Sequence, residues 1–371
     1  IFNPLATFAC YNVGLFTVGS YFNMIISRLN YIEYPISALN NAVWISIIWL
    51  ASFAIAFIPI PKWIYHKCSF PADNLQHNKK DYIPFYIIFA LLTLISFIAL
   101  CLFSDTLKWL TNPREAYLYY RVGVGQFYVG YIWGALMLFS AILYFQRPKF
   151  WGLILIFSIF FGILYFSGKK SVMMALFFIS LFYYHFYIKN FNLYNATIIV
   201  LVTGSSLLYL IAFQANQSFL SAFSFFDYID TTARFLNRFD EFGFYLGEAF
   251  ITSFWVLIPR AFFPDKPFEY GASLIHKVLY PGVAETGHTS GYLIWSEYFL
   301  DFGILGVIIY GLSLGIFKRY IFHKFLLNKN NFFLFCLCIH FSFKETWVFL
   351  PTFVVLFFIY FSYKLTKVRF F

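Results

Sequence analysis

Along its whole length the chain repeats apolar runs close to the length of a bilayer-crossing helix. Residues 4–26, 36–60, 83–103, 127–145, 150–166, 172–188, 194–212, 291–317, 331–343 and 347–363 are read as such spans. A hydrocarbon layer of ~30 Å takes about 20 helical residues to cross. A helix also satisfies its own backbone polar groups where no water reaches them. A β-barrel would need polar and apolar residues to alternate, and these runs are apolar on all sides. Charged residues make up 11% of 371, against about 25% in soluble domains, so a water-soluble fold is excluded. The expected class is all-α: a polytopic transmembrane helix bundle of about ten spans with one large external loop. The ninth run is short for a full crossing and reads as tilted or re-entrant. The expected organisation is N-terminal transmembrane helices over 1–212, a large external loop over 213–290, and C-terminal transmembrane helices over 291–371. The first residue is Ile, not Met, which leaves room for further helices ahead of it.

Basic residues set orientation, because Lys and Arg near span ends stay on the cytoplasmic side. Lys62, Lys67, Lys79 and Lys80, then Arg147 and Lys149, Lys189, the 318–329 loop with Lys318, Arg319, Lys324 and Lys329, and the tail with Lys364, Lys367 and Arg369 all fall on one side. That side is expected to be the cytoplasm and to hold both termini. The external bases run against this preference and so call for another explanation. They include Arg114 and Arg121 in the 104–126 loop, Lys169 and Lys170 in a tight turn, and Arg234, Arg238, Arg260, Lys266 and Lys277 in 213–290. Snorkelling at the interface accounts for any one of them, but less well for the whole set. The net charge of +10 does not suggest nucleic-acid binding, since the bases are scattered between apolar spans rather than gathered in one patch. The five Cys fit neither zinc spacing nor a disulfide framework. The 55 Phe and 29 Tyr read as membrane filler, not as a binding site.

Within the external segment, 226–250 reads as one amphipathic helix. Asp227, Thr231, Arg234, Arg238, Glu241, Tyr245 and Glu248 fall on one face by their 4-3-4 spacing. Arg234 and Arg238 are one turn apart, and guanidinium forks match phosphate oxygens in pairs. The bland alternative is a solvated face with intrahelical pairing such as Asp230–Arg234. Further on, three prolines between Pro259 and Pro267 forbid a continuous helix and present Arg260, Asp265 and Lys266 on a stiff turn. A small polar stretch from Gly282 to Gly291 holds His288, which taken alone is as well explained as a satisfied hydrogen-bonding residue. Glu297 and Asp301 lie one turn apart at the start of the next span. Membrane carboxylates are costly and usually functional, and external Arg or Lys residues are their expected partners. Gly303, Gly306, Gly311 and Gly315 suit close helix packing.

Several of these stretches resemble a known family. Leu257-Ile258-Pro259-Arg260 followed by Pro264-Asp265-Lys266-Pro267 resembles the "PR…PDKP" stretch of bacterial oligosaccharide repeat-unit polymerases, the O-antigen and capsular polymerases of the Wzy type. The run Glu297-Tyr298-Phe299-Leu300-Asp301-Phe302-Gly303-Ile304-Leu305-Gly306 resembles the start of the helix that follows their large periplasmic loop. Ser167-Gly168-Lys169-Lys170-Ser171 sits where such proteins often carry a "GSR" turn, with Lys in place of Arg. Lysine keeps the charge but loses the planar fork.

The resemblance implies a GT-C-like membrane glycosyltransferase in the bacterial inner membrane. Donor and acceptor would be undecaprenyl-pyrophosphate-linked oligosaccharides, with a flippase and a chain-length regulator as implied partners besides the lipid bilayer. A lipid-pyrophosphate leaving group needs its developing charge stabilised, and clustered Arg and Lys do this without a metal. No metal or other cofactor is expected. Diphosphate contact is assigned to Arg234, Arg238 and Arg260, with Lys266, Lys169 and Lys170 as further candidates. His288, Glu297, Asp240 and Glu241 are candidate general bases; His288 and Glu297 are favoured because both lie at the external mouth of one helix. Two other readings stay open: an O-antigen ligase that moves glycan from the same carrier to lipid A core, and a non-enzymatic flippase for lipid-linked sugar. The ligase also has a large external loop and a functional His near a Gly-containing helix. Against the flippase, no duplicated halves are visible.

Overall fold

The computed structural model of the chain describes residues 14, 17–27, 34–58, 82–120, 123–189, 228–258, 263–282, 291–341, 357 and 360–361. Among them, every regular element is helical. The N-terminal helices are α1 (Ser20–Ser27), α2 (Ile36–Phe57) and α3 (Ile83–Phe103), followed by two short helices, α4 (Lys108–Thr111) and α5 (Pro113–Tyr119). Next come α6 (Gly125–Gln146), α7 (Phe150–Tyr165) and α8 (Lys170–Tyr183), the last continued by a π turn over Tyr184–Ile188. The segment 228–282 contributes α9 (Tyr228–Asn237), α10 (Phe239–Phe242), α11 (Glu248–Thr252) and α12 (Leu274–Leu279). The chain then forms α13 (Ser296–Leu327) and α14 (Phe332–Phe341). Five stretches are long and apolar enough to cross a bilayer: Ile36–Phe57, Ile83–Phe103, Gly125–Gln146, Ser171–Ile188 and Ser296–Leu327. The protein is thus an all-α, multi-pass membrane protein. The expected span 194–212, most of 4–26 and most of 347–363 lie outside the described residues.

Lipid supplies no hydrophobic drive for helix pairing, so small residues decide which faces meet. In α3, Phe85, Phe89, Thr93, Ser96 and Leu100 form the buried stripe, at three- and four-residue steps. Ile87, Leu91, Leu94, Ile98 and Leu102 are exposed on the remaining surface. The small members of that stripe meet glycines of α6. A Cβ on Gly130 would lie 2.6 Å from Ser96 Oγ, and one on Gly134 would lie 2.7 Å from Thr93 Oγ1. The rising number on one helix against the falling number on the other makes this pair antiparallel. By the same test α2 and α13 are parallel: Gly311 abuts the Trp49 carbonyl at 2.8 Å and Gly315 the Phe53 carbonyl at 2.5 Å, measured from an added Cβ.

Contacts between loops sort them onto two ends of the bundle. At one end, Tyr34 donates to Asp230 (2.8 Å), and Arg114 donates to the Gly168 carbonyl (3.3 Å). At the other, Arg147 donates to Asn330 (3.0 Å), Tyr187 to the Lys329 carbonyl (2.8 Å), and Gln146 to Tyr86 (3.2 Å). For the loops these contacts join, the grouping agrees with that drawn from the charges; Lys62, Lys67, Lys79, Lys80, Lys364, Lys367 and Arg369 lie outside the described residues.

Two expectations need correction. The 318–329 loop is not a loop from its start: α13 runs on to Leu327, and Lys318 is 2% exposed within it. Lys and Arg are good helix formers and do not end a helix by charge alone. The turn after Leu327 falls at Asn328, Lys329 and Asn330. Nor is 226–250 one helix. It breaks into α9, α10 and α11, with positive φ at Gly243 (66°), Leu246 (50°) and Gly247 (99°).

Candidate functional site

The described residues between α8 and α13 fold as a cap with its own small core. Phe235 of α9, Ala249 of α11, Leu274 and Ile275 of α12, and Leu300 of α13 pack together, flanked by Phe239, Tyr245, Tyr292 and Phe299. The cap is fastened to α13 through Asp301. Its carboxylate accepts from the amides of Ala249 (3.0 Å) and Phe250 (2.9 Å), the first turn of α11. The amide of Tyr245 donates to the Leu300 carbonyl (3.1 Å), and that of Leu246 to the Asp301 carbonyl (3.2 Å). Exposing those carbonyls requires α13 to break, and it does so at Phe302 and Gly303. Gly303 holds φ 60° and ψ −148°, a conformation open essentially to glycine alone. Asp301 was expected to pair with an Arg or Lys; backbone amides serve it instead, because its carboxylate satisfies helix-start donors that have no partner in their own helix.

Glu297 lies one turn before Asp301 and is 4% exposed; its Oε1 is buried without a hydrogen-bond partner. Helix α9, which bears Arg234, packs directly beside it: Thr232 Oγ1 lies 3.4 Å from Ser296 Oγ and accepts from the Leu293 amide at 2.9 Å. Two residues on, Arg234 pairs with Asp230 (3.3 Å) and stands 5.6 Å from the centre of the Tyr34 ring. Arg238 grips Glu241 with both prongs of its fork, Nε to Oε1 at 2.7 Å and a terminal nitrogen to Oε2 at 2.6 Å. This pairing holds the Glu241 carboxyl below its usual range. Asp240 is exposed.

The remaining predicted residues are more spread. Lys266 is 8% exposed; its ammonium donates to the Ile258 carbonyl (2.9 Å) and stands 4.7 Å from the Tyr270 ring centre, so it pins the two ends of the proline-rich turn together. Lys169 and Lys170 open α8 in the turn that Arg114 touches. Gly168 in that turn has φ 62°, and a Cβ there would lie 2.6 Å from the Pro113 carbonyl carbon. The turn is therefore locked onto α5. Arg260 and His288 lie outside the described residues.

Sequence reading missed two neighbours of the site. His276 of α12 is fully buried, with its ring 6.0 Å from that of Tyr292. Burial first, and then the Glu297 charge, push the Tyr292 hydroxyl well above its usual range, so it stays protonated. No local pattern marks either residue, since both are identified only by where the cap docks. Among the described residues, no group of three or more His, Cys, Asp or Glu gathers to hold a metal ion.

The site thus places a buried carboxylate at the mouth of a broken helix, beneath a cap that carries two arginines. Comparison with known proteins adds the context of relatives. No protein-family model matches the chain, and no solved structure matches it. It is 24% identical over 311 residues to the O-antigen polymerase of Salmonella typhimurium, covering 80% of this chain and 73% of the relative, and equally to the O-antigen polymerase of Salmonella typhi. The chain is a distant relative of the O-antigen polymerases, in line with the resemblance seen in its motifs.

Proposed function

We propose that this protein polymerises lipid-linked oligosaccharide repeat units into O-antigen-type polysaccharide, acting as a glycosyltransferase at the external face of the bacterial inner membrane. The observation that carries the reading is the likeness to two O-antigen polymerases across four-fifths of the chain. The site supports it by setting Arg234, on the helix that packs against Ser296, close in the fold to the buried carboxylate of Glu297.

In the proposed reaction, a hydroxyl at the non-reducing end of one undecaprenyl-pyrophosphate-linked repeat attacks the anomeric carbon of the growing glycan on a second carrier. The new glycosidic C–O bond forms as the bond to the pyrophosphate breaks, and the carrier pyrophosphate leaves with the electron pair. Arg234 and Arg238, with Arg260, would take up its charge, while Asp230 and Glu241 hold the first two forks in place until the diphosphate replaces them. Lys169, Lys170 and Lys266 are secondary contacts in this scheme. The hydroxyl proton would pass to Glu297 or His288. The cytoplasmic end of the bundle would hold both termini, and a flippase and a chain-length regulator would be its functional neighbours.

Arg238→Ala and Arg260→Ala should abolish polymer in cells while leaving the protein inserted at normal levels. Full-length polymer in both would overturn the assignment. Cells lacking the protein should carry single-repeat caps; bare lipid A core would point to a ligase instead.

A further inference from the structure

The cap presents an apolar face that nothing in the described chain covers. Leu246, Ile251 and Phe254 are 78%, 70% and 54% exposed, and Phe244 is 56% exposed. Ile251 and Phe254 follow the spacing i, i+3. They therefore share one side of α11 and of the 3₁₀ turn Ser253–Leu257 that extends it. Leu246 holds its side chain outward from a left-handed backbone (φ 50°), which is disfavoured for leucine and usual for Gly or Asn in a water-facing turn. An exposed apolar cluster of this kind marks a surface that meets something other than water.

Its continuation indicates what it meets. A Cβ on Gly247 would touch Phe302 Cζ at 3.4 Å, and one on Gly303 would lie 3.0 Å from a Phe244 ring carbon. Phe302, at the break, adjoins the exposed apolar stripe of α13 that runs beyond it through Leu305, Ile309 and Ile316 at i, i+4, i+11. In a membrane-crossing helix such a stripe faces lipid. The face of the cap extends it without a break, across the hydrogen bond from the Leu246 amide to the Asp301 carbonyl.

We propose that residues 244–254 form an interfacial foot, with Phe244, Leu246, Ile251 and Phe254 among the acyl chains of the leaflet on the cap's side. The exposed Glu248 then lies at headgroup level on the neighbouring face of α11. The foot is tied to the arginine-bearing elements by the edge contact of Phe239 with Phe244, ring centres 5.1 Å apart. It therefore holds Arg234 and Arg238 near headgroup depth. That is the depth of the diphosphate on a lipid-linked donor, a consequence that rests on the proposed function; the foot itself does not.

Nitroxide labels at Leu246→Cys, Ile251→Cys and Phe254→Cys, in full-length protein in nanodiscs with its own cysteines replaced, test this directly. Labels in the foot should collide with oxygen more than with a water-soluble nickel chelate, as a Leu305→Cys label does, and labels at Glu248→Cys and Asp265→Cys should show the reverse. Nickel accessibility at all three foot positions equal to that at Asp265→Cys would place the foot in water and overturn the proposal. So would dipolar broadening between labels, which would show a second copy covering the face, or shielding that arises only on adding polyprenyl phosphate. Hydroxyl-radical footprinting of the unaltered protein in nanodiscs keeps the proposal testable if the cysteine-free background misfolds. Phe244 and Phe254 should be oxidised no more than the lipid-facing Leu305; heavier oxidation would contradict the foot. Neither measurement needs activity, so the outcome stands apart from the fate of the polymerase reading.

Discussion

Two carboxylates one turn apart, Glu297 and Asp301, do different work because their surroundings differ. Asp301 is spent on structure, accepting from two amides that have no other partner in their short helix. Asp301→Ala should lower stability by about 2–3 kcal/mol, the cost of two buried donors losing a charged acceptor; the midpoint of chemical unfolding in detergent reads it. Glu297 Oε1 has no such partner, and in the proposed reaction this carboxylate takes the proton of the attacking hydroxyl. Glu241, by contrast, is engaged by the Arg238 fork. Glu297→Gln should therefore slow polymer formation about 10²–10⁴-fold, the usual contribution of a general base, while Glu241→Gln leaves the rate within a small factor. Polymer assays on membranes carrying each variant separate the two. From sequence, Glu297 and Asp301 looked alike, each a membrane carboxylate awaiting a cation. The distinction comes from α11, whose start is placed by a chain break at Gly243, Leu246 and Gly247; the glycines marked it, but the 4-3-4 periodicity read across them.

At the level of elements, the apolar runs were the readable part. The run 83–103 coincides with α3, and 150–166 ends one residue past α7. Hydrophobic length is a local property, so it survives without knowledge of packing. The segment 228–282 was less readable because its break at Arg238 has no turn signature, the helical periodicity ran across the glycines of its second break at Gly243–Gly247, and the cap's own core overrides that periodicity. Likewise Tyr34 and Asp230, 196 residues apart, meet only through the docking of α9. The FG-x-x-G stretch was read as a packing motif. In the structure its first glycine is a hinge that frees the Leu300 and Asp301 carbonyls for the cap. Gly303→Ala should cost about 1–3 kcal/mol of backbone strain and should detach the cap. Rapid proteolysis within 228–282, with the helices still inserted, is the expected result.

Across the whole molecule, parallel α2 and α13 form a spine, and loops gather at its two ends as the charge pattern required. One end carries the cap, the arginine pairs and the mouth of α13. This puts the described site at one end of the bundle, whereas a transporter binds its substrate near the bilayer midplane. The relatives with O-antigen polymerase names span most of the same chain, so cap and bundle fall within one stretch of likeness.

The most direct test is to give the purified protein, in liposomes, only undecaprenyl-pyrophosphate-linked repeat units, and to separate the products by size. The account predicts a ladder of glycans lengthening by whole repeats, with release of carrier pyrophosphate and loss of both in Arg238→Ala. Repeat units that stay single here but are transferred once a lipid A core acceptor is added would contradict it.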